Sequence, residues 1–101
     1  MLCLSTAPDG ETAERIARAL VEERLIACAN LLGGAVSVYR WEGEVHREAE
    51  VVLLMKTRAS LVGRLKERLP ALHPYEVPEL LVVGVCDGLA AYCGWVLDET
   101  G

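Results

Sequence analysis

The sequence contains no Phe, and three Tyr and two Trp make aromatics only 5% of its 101 residues. A core built on aromatic rings is excluded, so the interior must come from Leu, Ile, Val, Ala and Met. Cationic residues are in deficit: ten Lys and Arg stand against fifteen Asp and Glu, a net charge of −5. That balance leaves no electrostatic footprint for a phosphate backbone or an anionic bilayer, which argues against nucleic acid and membrane partners. Apolar runs such as Val51–Met55 and Leu80–Val83 fall far short of the ~20 residues of a membrane-spanning helix. The start, Met1-Leu2-Cys3-Leu4-Ser5, has neither the basic region nor the cleavage site of a secretory signal, which predicts a soluble cytoplasmic protein. Cys3, Cys28, Cys86 and Cys93 form no C-x-x-C pair and no zinc-ribbon spacing, and they read as small buried hydrophobes. Gly-rich phosphate loops, nucleophile elbows and H-E-x-x-H helices are missing, and only two histidines exist. An enzyme has little to work with.

What is present is the make-up of one domain spanning residues 1–101, with 52% hydrophobic residues and four Pro. Met1–Ser5 is an apolar strand, and Thr6-Ala7-Pro8-Asp9-Gly10 turns into a helix with Asp9 as N-cap. Ala13, Ile16, Ala17, Leu20 and Val21 recur at helical spacing, with Glu11–Arg15 and Glu14–Arg18 as i,i+4 pairs opposite. Leu25–Leu32 reads as a strand bent at Gly33-Gly34, resumed over Ala35–Arg40, and turned by Trp41-Glu42-Gly43. Glu44–Thr57 returns as a long strand, polar on one face in its first half and apolar on both faces in its second. Ser60 is placed to cap a second helix with Leu61, Leu65, Leu69 and Leu72 along one side, ended by Pro70 and Pro74. A connector, His73–Pro78, leads to a fourth strand over Glu79–Cys86, whose continuous apolar character predicts cover on both faces. Asp87-Gly88 then opens a last helix carrying Leu89, Tyr92, Cys93 and Val96.

The order is therefore α+β, a ferredoxin-like βαββαβ sandwich with an extra C-terminal helix and a long β2–β3 hairpin. Two helices cover one sheet face only. A domain of this length has a radius of gyration of roughly 13 Å and a diameter of about 34 Å, whereas a strand as long as Glu44–Thr57 extends roughly 46 Å. The hairpin outruns its own domain. A homo-oligomer in a closed ring would cover both the arm and the second apolar face.

Few residues offer chemistry. Glu44, His46 and Glu48 share a strand face at i, i+2 and i+4, a pattern better read as a solvated face than as a metal site. Cys28 lies in the apolar stretch Ile26–Ala29, and a soft metal would use it only if a second soft or imidazole ligand came close. His73 is either a ligand or a helix-end cap. Tyr39, Trp41 and Tyr75 sit at a hairpin end or connector, a placement that reads first as packing of a subunit interface with ion pairs; with Glu50, Lys56 and Glu79 in the same elements, the alternative is a small polar-lined cleft between subunits. An acid–base pair of Glu50 and Lys56 is the remaining enzymatic reading, and no nucleophile or cofactor motif supports it.

At these same residues the sequence resembles the CutA family of divalent cation tolerance proteins. The segments that carry the resemblance are Thr6-Ala7-Pro8-Asp9, Leu25–Asn30, Tyr39–Glu44, Lys56-Thr57, His73–Glu79, and Tyr92 with Trp95. The resemblance implies a tight homotrimer whose hairpin embraces a neighbour, cytoplasmic and non-enzymatic, linked to tolerance of copper and other divalent cations and needing no organic cofactor. It further implies kinship with the PII signalling trimers, which bind small effectors between subunits; that kinship rests on fold. In bacterial relatives the implied copper ligands are a cysteine just before Thr-Ala-Pro-Asp and two adjacent histidines before Pro-Tyr. Here Ser5 and Leu72-His73 occupy those places. Of that set only His73 is kept, so Cys28 and His73 are the best remaining metal ligands.

Overall fold

A computed structural model describes all 101 residues. The order is β1 (Leu2–Ala7), α1 (Gly10–Glu22), β2 (Cys28–Trp41), β3 (Glu44–Lys56), a 3₁₀ turn (Ala59–Leu61), α2 (Val62–Leu72), β4 (Leu81–Val83) and α3 (Ala90–Asp98). The four strands form one antiparallel sheet in the order β2-β3-β1-β4, the α+β, ferredoxin-like arrangement expected from the sequence.

Helix α1 starts at Asp9, whose carboxylate accepts the Thr12 N–H at 2.7 Å, satisfying one of the free donors at the helix end. Its buried stripe of Ala13, Ile16, Ala17 and Leu20 packs with Leu61, Leu65 and Leu69 on the core-facing residues Cys3, Ala7, Leu53 and Met55. Each fully buried Leu or Ile contributes ~1.5–3 kcal/mol of transfer free energy. Glu14 and Arg18 pair at 3.0 Å, whereas Arg15 turns away from Glu11 and donates to the Leu72 carbonyl at 3.2 Å, tying the first helix to the end of the second.

The strand foreseen from Leu25 begins at Cys28, because Leu25, Ile26 and Ala27 are buried in the passage from helix to sheet and Thr57 Oγ1 donates to the Leu25 carbonyl at 2.7 Å. Gly33-Gly34 forms the expected bulge. The β2–β3 register shifts between Leu32 and Ala35, and Gly34 takes φ +82°, a conformation that disfavours any residue with a Cβ. Beyond it the hairpin continues to a turn at Glu42-Gly43 and gives the molecule extents of 44 × 25 × 22 Å and a radius of gyration of 14.1 Å.

Four local expectations are corrected. Of the cysteines expected to be buried only Cys3 is; Cys28 and Cys93 are half-buried and Cys86 is exposed. Ser60 does not cap α2: it lies inside the 3₁₀ turn, where Arg58 is the preceding residue and no side chain caps. α3 starts at Ala90 instead of at Asp87-Gly88, since the Asp87 carboxylate is taken up by the Gly88 N–H at 2.8 Å. β4 pairs only over Leu81–Val83 and is exposed instead of covered on both faces. Leu81 and Val83 are 60% and 47% exposed. Cross-strand partners share a face, so Leu2, Leu4, Leu32, Val52, Leu54, Leu81 and Val83 form an apolar surface on the side away from α1 and α2. On the arm, Val38 and Val45 are 67% and 64% exposed. α3 reaches only the end of this face, anchored by Arg24 donating to the Asp98 and Gly101 carbonyls at 2.7 and 2.9 Å.

Candidate functional site

A cavity of about 560 Å³ opens where the hairpin arm leaves the body of the subunit, walled by Thr6 of β1, Ser37, Val38, Tyr39 and Trp41 of β2, Glu50 of β3, and Tyr75, Glu76, Val77 and Glu79 of the connector before β4. Strand register explains the convergence. Ala35 opposes Glu50, Ser37 opposes Glu48, and Tyr39 opposes His46, so the arm presents its aromatic and acidic residues to the same side.

The connector is held by His73, which is buried with 8% exposure. Its Nε2 lies 2.7 Å from the Thr6 carbonyl, and its Nδ1 lies 3.1 Å from the Tyr75 backbone nitrogen. A carbonyl can only accept and a backbone N–H can only donate, so Nε2 carries the proton and Nδ1 spends its lone pair on Tyr75. The two rings lie 4.7 Å apart, and the Tyr75 hydroxyl donates to Glu50 Oε2 at 2.7 Å. Ser5 acts from beneath: fully buried, its hydroxyl donates to the Glu79 carbonyl at 2.7 Å. Both residues are therefore engaged in shaping the cleft.

The electrostatics are one-sided. No Lys, Arg or His lines the cavity, while Glu50, Glu76 and Glu79 do. Burial and then the facing Glu50 charge push the Glu79 carboxyl above the usual range. Burial, followed by the bond to Glu50, raises the Tyr75 hydroxyl well above an ordinary phenol. Tyr39 is raised too, by partial desolvation and then by Glu48.

Five of the six expected cleft residues, Tyr39, Trp41, Glu50, Tyr75 and Glu79, meet around this cavity. Lys56 is not among them. It lies six residues along β3 from Glu50, about 20 Å at strand rise, and donates to Asn30 Oδ1 and to Cys28 Sγ, the latter at 3.5 Å. An acid–base pair of Glu50 and Lys56 within one subunit is ruled out by that spacing. Nor does the structure bring Cys28 to His73: Cys28 Sγ sits beside Lys56 and, at 3.7 Å, the Tyr92 hydroxyl, whereas both His73 nitrogens are engaged with the backbone. No three His, Cys, Asp or Glu side chains converge to hold a metal ion, those of Glu44, His46 and Glu48 included; His46 instead stacks on Tyr39 with ring centroids 5.4 Å apart. Thr6, Ser37, Val38, Glu76 and Val77 were not anticipated as lining residues. The signal for Ser37 was present in the alternation that carries it to the same face as Tyr39.

The sheet order and the arm define a ferredoxin-like α+β domain with a cleft at the root of a long hairpin. Residues 1–99 match the family described as CutA1 divalent ion tolerance protein, and the chain belongs to that family. It is 48% identical over 98 residues to the divalent-cation tolerance protein CutA of Thermus thermophilus, covering 97% of this chain and 95% of the relative. A solved structure of the divalent cation tolerance protein from Thermus thermophilus superposes with a TM-score of 0.96 at 47% identity, covering 99% of this chain and 97% of the other. The PII-like protein CutA from Nostoc sp. PCC 7120, solved in apo form, superposes with a TM-score of 0.92 at 46% identity, covering 99% and 96%. No helix is long and apolar enough to cross a membrane.

Proposed function

We propose that this chain, one domain over residues 1–101, is a non-enzymatic cytoplasmic homotrimer that serves tolerance of copper and other divalent metal ions in the manner of a PII-like sensor. An effector enters the cleft at the hairpin root, and the assembled trimer carries the response. The observation behind this reading is the gathering of Tyr39, Trp41, Glu50, Tyr75 and Glu79 around a cavity of about 560 Å³, a volume in the range of small-ligand sites. Assembly is supported by the uncovered apolar sheet face and by a long axis of 44 Å, about 10 Å beyond the diameter of a compact chain of this length. The number three follows the family resemblance.

A resident copper ion held by Cys28 and His73 of one subunit does not fit the geometry, because His73 has no free lone pair and Cys28 lies among Lys56, Asn30 and Tyr92. The divalent ion is accordingly read as the signal, and no step is routed through those two residues. The test is sedimentation of the purified protein combined with Trp41 emission, in a Trp95→Phe background, across copper(II), zinc(II) and a metabolite panel. A trimer with a saturable emission change supports the reading. A monomer, or a trimer indifferent to every addition, overturns it.

A further inference from the structure

The chemistry of the cleft walls narrows the kind of effector that fits. The walls that this chain itself supplies carry Glu50, Glu76 and Glu79 and no Lys, Arg or His, a one-sided lining that disfavours phosphates, carboxylates and nucleotides. Glu50 is buried, with 9% exposure, and bonds through Oε2 to Tyr75, leaving its second oxygen with no hydrogen-bond partner in the protein. That oxygen is not a sealed orphan, since every solvent-inaccessible side-chain N or O atom has a partner; it is open to an incoming donor or positive charge. A bare divalent metal is a poor match, because hard ions require several converging oxygens and no three-ligand group forms. The rest of the wall combines three aromatic residues, Tyr39, Trp41 and Tyr75, with Thr6, Ser37, Val38 and Val77. Aromatic faces beside carboxylates are the recurring surroundings of ammonium and quaternary ammonium groups, which gain from ring quadrupoles and full charges together.

Building on the effector-cleft reading, we propose that the occupant of this cleft is a small organic cation, its ammonium group placed against Glu50 and between the rings of Trp41, Tyr39 and Tyr75. Choline and 3,3-dimethylbutan-1-ol, which share a shape and differ in charge, form the probe pair, read by Trp41 emission in the Trp95→Phe protein at fixed ionic strength. Choline is expected to bind saturably and at least tenfold more tightly than the alcohol. Glu50→Gln, which keeps an acceptor for the Tyr75 hydroxyl while removing the charge, is expected to erase most of that preference. Equal binding of the two probes, or tighter binding of inorganic phosphate or zinc(II), would overturn the organic-cation inference and leave the effector cleft standing. Silence toward choline, the alcohol, phosphate, metals and the metabolite panel alike would remove both. The choline comparison uses the unaltered cleft, so a misfolded Glu50→Gln protein does not blunt the test.

Discussion

The Tyr75–Glu50 hydrogen bond is the strut between connector and arm, and Tyr75→Phe removes it with almost no change of shape. The bond is 2.7 Å long, and its acceptor belongs to a side chain with 9% exposure. A hydrogen bond to a charged group contributes about 1.5–3 kcal/mol. Tyr75 is itself half-buried, so the lower part of that range applies, roughly 1.5–2 kcal/mol per subunit. The loss includes the cost of leaving the Glu50 carboxylate with no protein donor. Guanidinium unfolding at fixed subunit concentration measures it, and combining Tyr75→Phe with Glu50→Gln isolates the pairwise part, expected near ~1 kcal/mol because glutamine still accepts a neutral bond. A Tyr75→Phe protein within about 0.5 kcal/mol of wild type would refute the strut, since that is the scatter of substitutions touching nothing of consequence.

Further expectations concern other parts of the molecule. All three tyrosines titrate above the ordinary phenol, so ultraviolet absorbance should show well under half of the tyrosinate at pH ~10, where free tyrosine is half ionised. A raised folded pKa means the native state holds the proton more tightly; this stabilisation is complete below pH ~10 and is lost as pH rises through the folded values. Half-ionisation at pH ~10 would contradict it. Leu69, fully buried between α2 and the sheet, should cost ~2–5 kcal/mol on change to Ala, read as a shift of the denaturation midpoint with unchanged slope. Leu4→Glu places a charge on the uncovered sheet face between Leu54 and Leu81, and should convert the assembly to smaller species in sedimentation while far-ultraviolet dichroism stays native.

Elements with a strong local signal were legible in the sequence. The stripe from Ala13 to Leu20, the Asp9 cap, the Gly33-Gly34 bulge and the turn at Glu42-Gly43 each follow from backbone or burial rules that act over a few residues. The misjudged features depend on distant partners. Ser60 has capping chemistry, but the chain enters α2 through a 3₁₀ turn that leaves it outside the cap position. Apolar character over Glu79–Cys86 indicated burial, yet Leu81, Val82 and Val83 stay exposed and only these three find a ladder partner.

At the site, strand alternation put Glu50 and Lys56 on one face correctly, while residue count alone should have separated them by about 20 Å. Which groups His73 would satisfy was not readable at all. Its partners, the Thr6 carbonyl and the Tyr75 N–H, are backbone atoms that only the fold brings together. The same holds for Ser5 and the Glu79 carbonyl, 74 positions apart.

Native mass spectrometry of the purified protein tests the central claim most directly, because both the exposed sheet face and the cleft acquire their meaning from assembly. The account predicts one dominant species at three times the 11.0 kDa subunit mass, persisting at micromolar concentration. A dominant 11.0 kDa monomer would contradict it, leaving the apolar face and the arm that stretches the subunit to 44 Å without a partner.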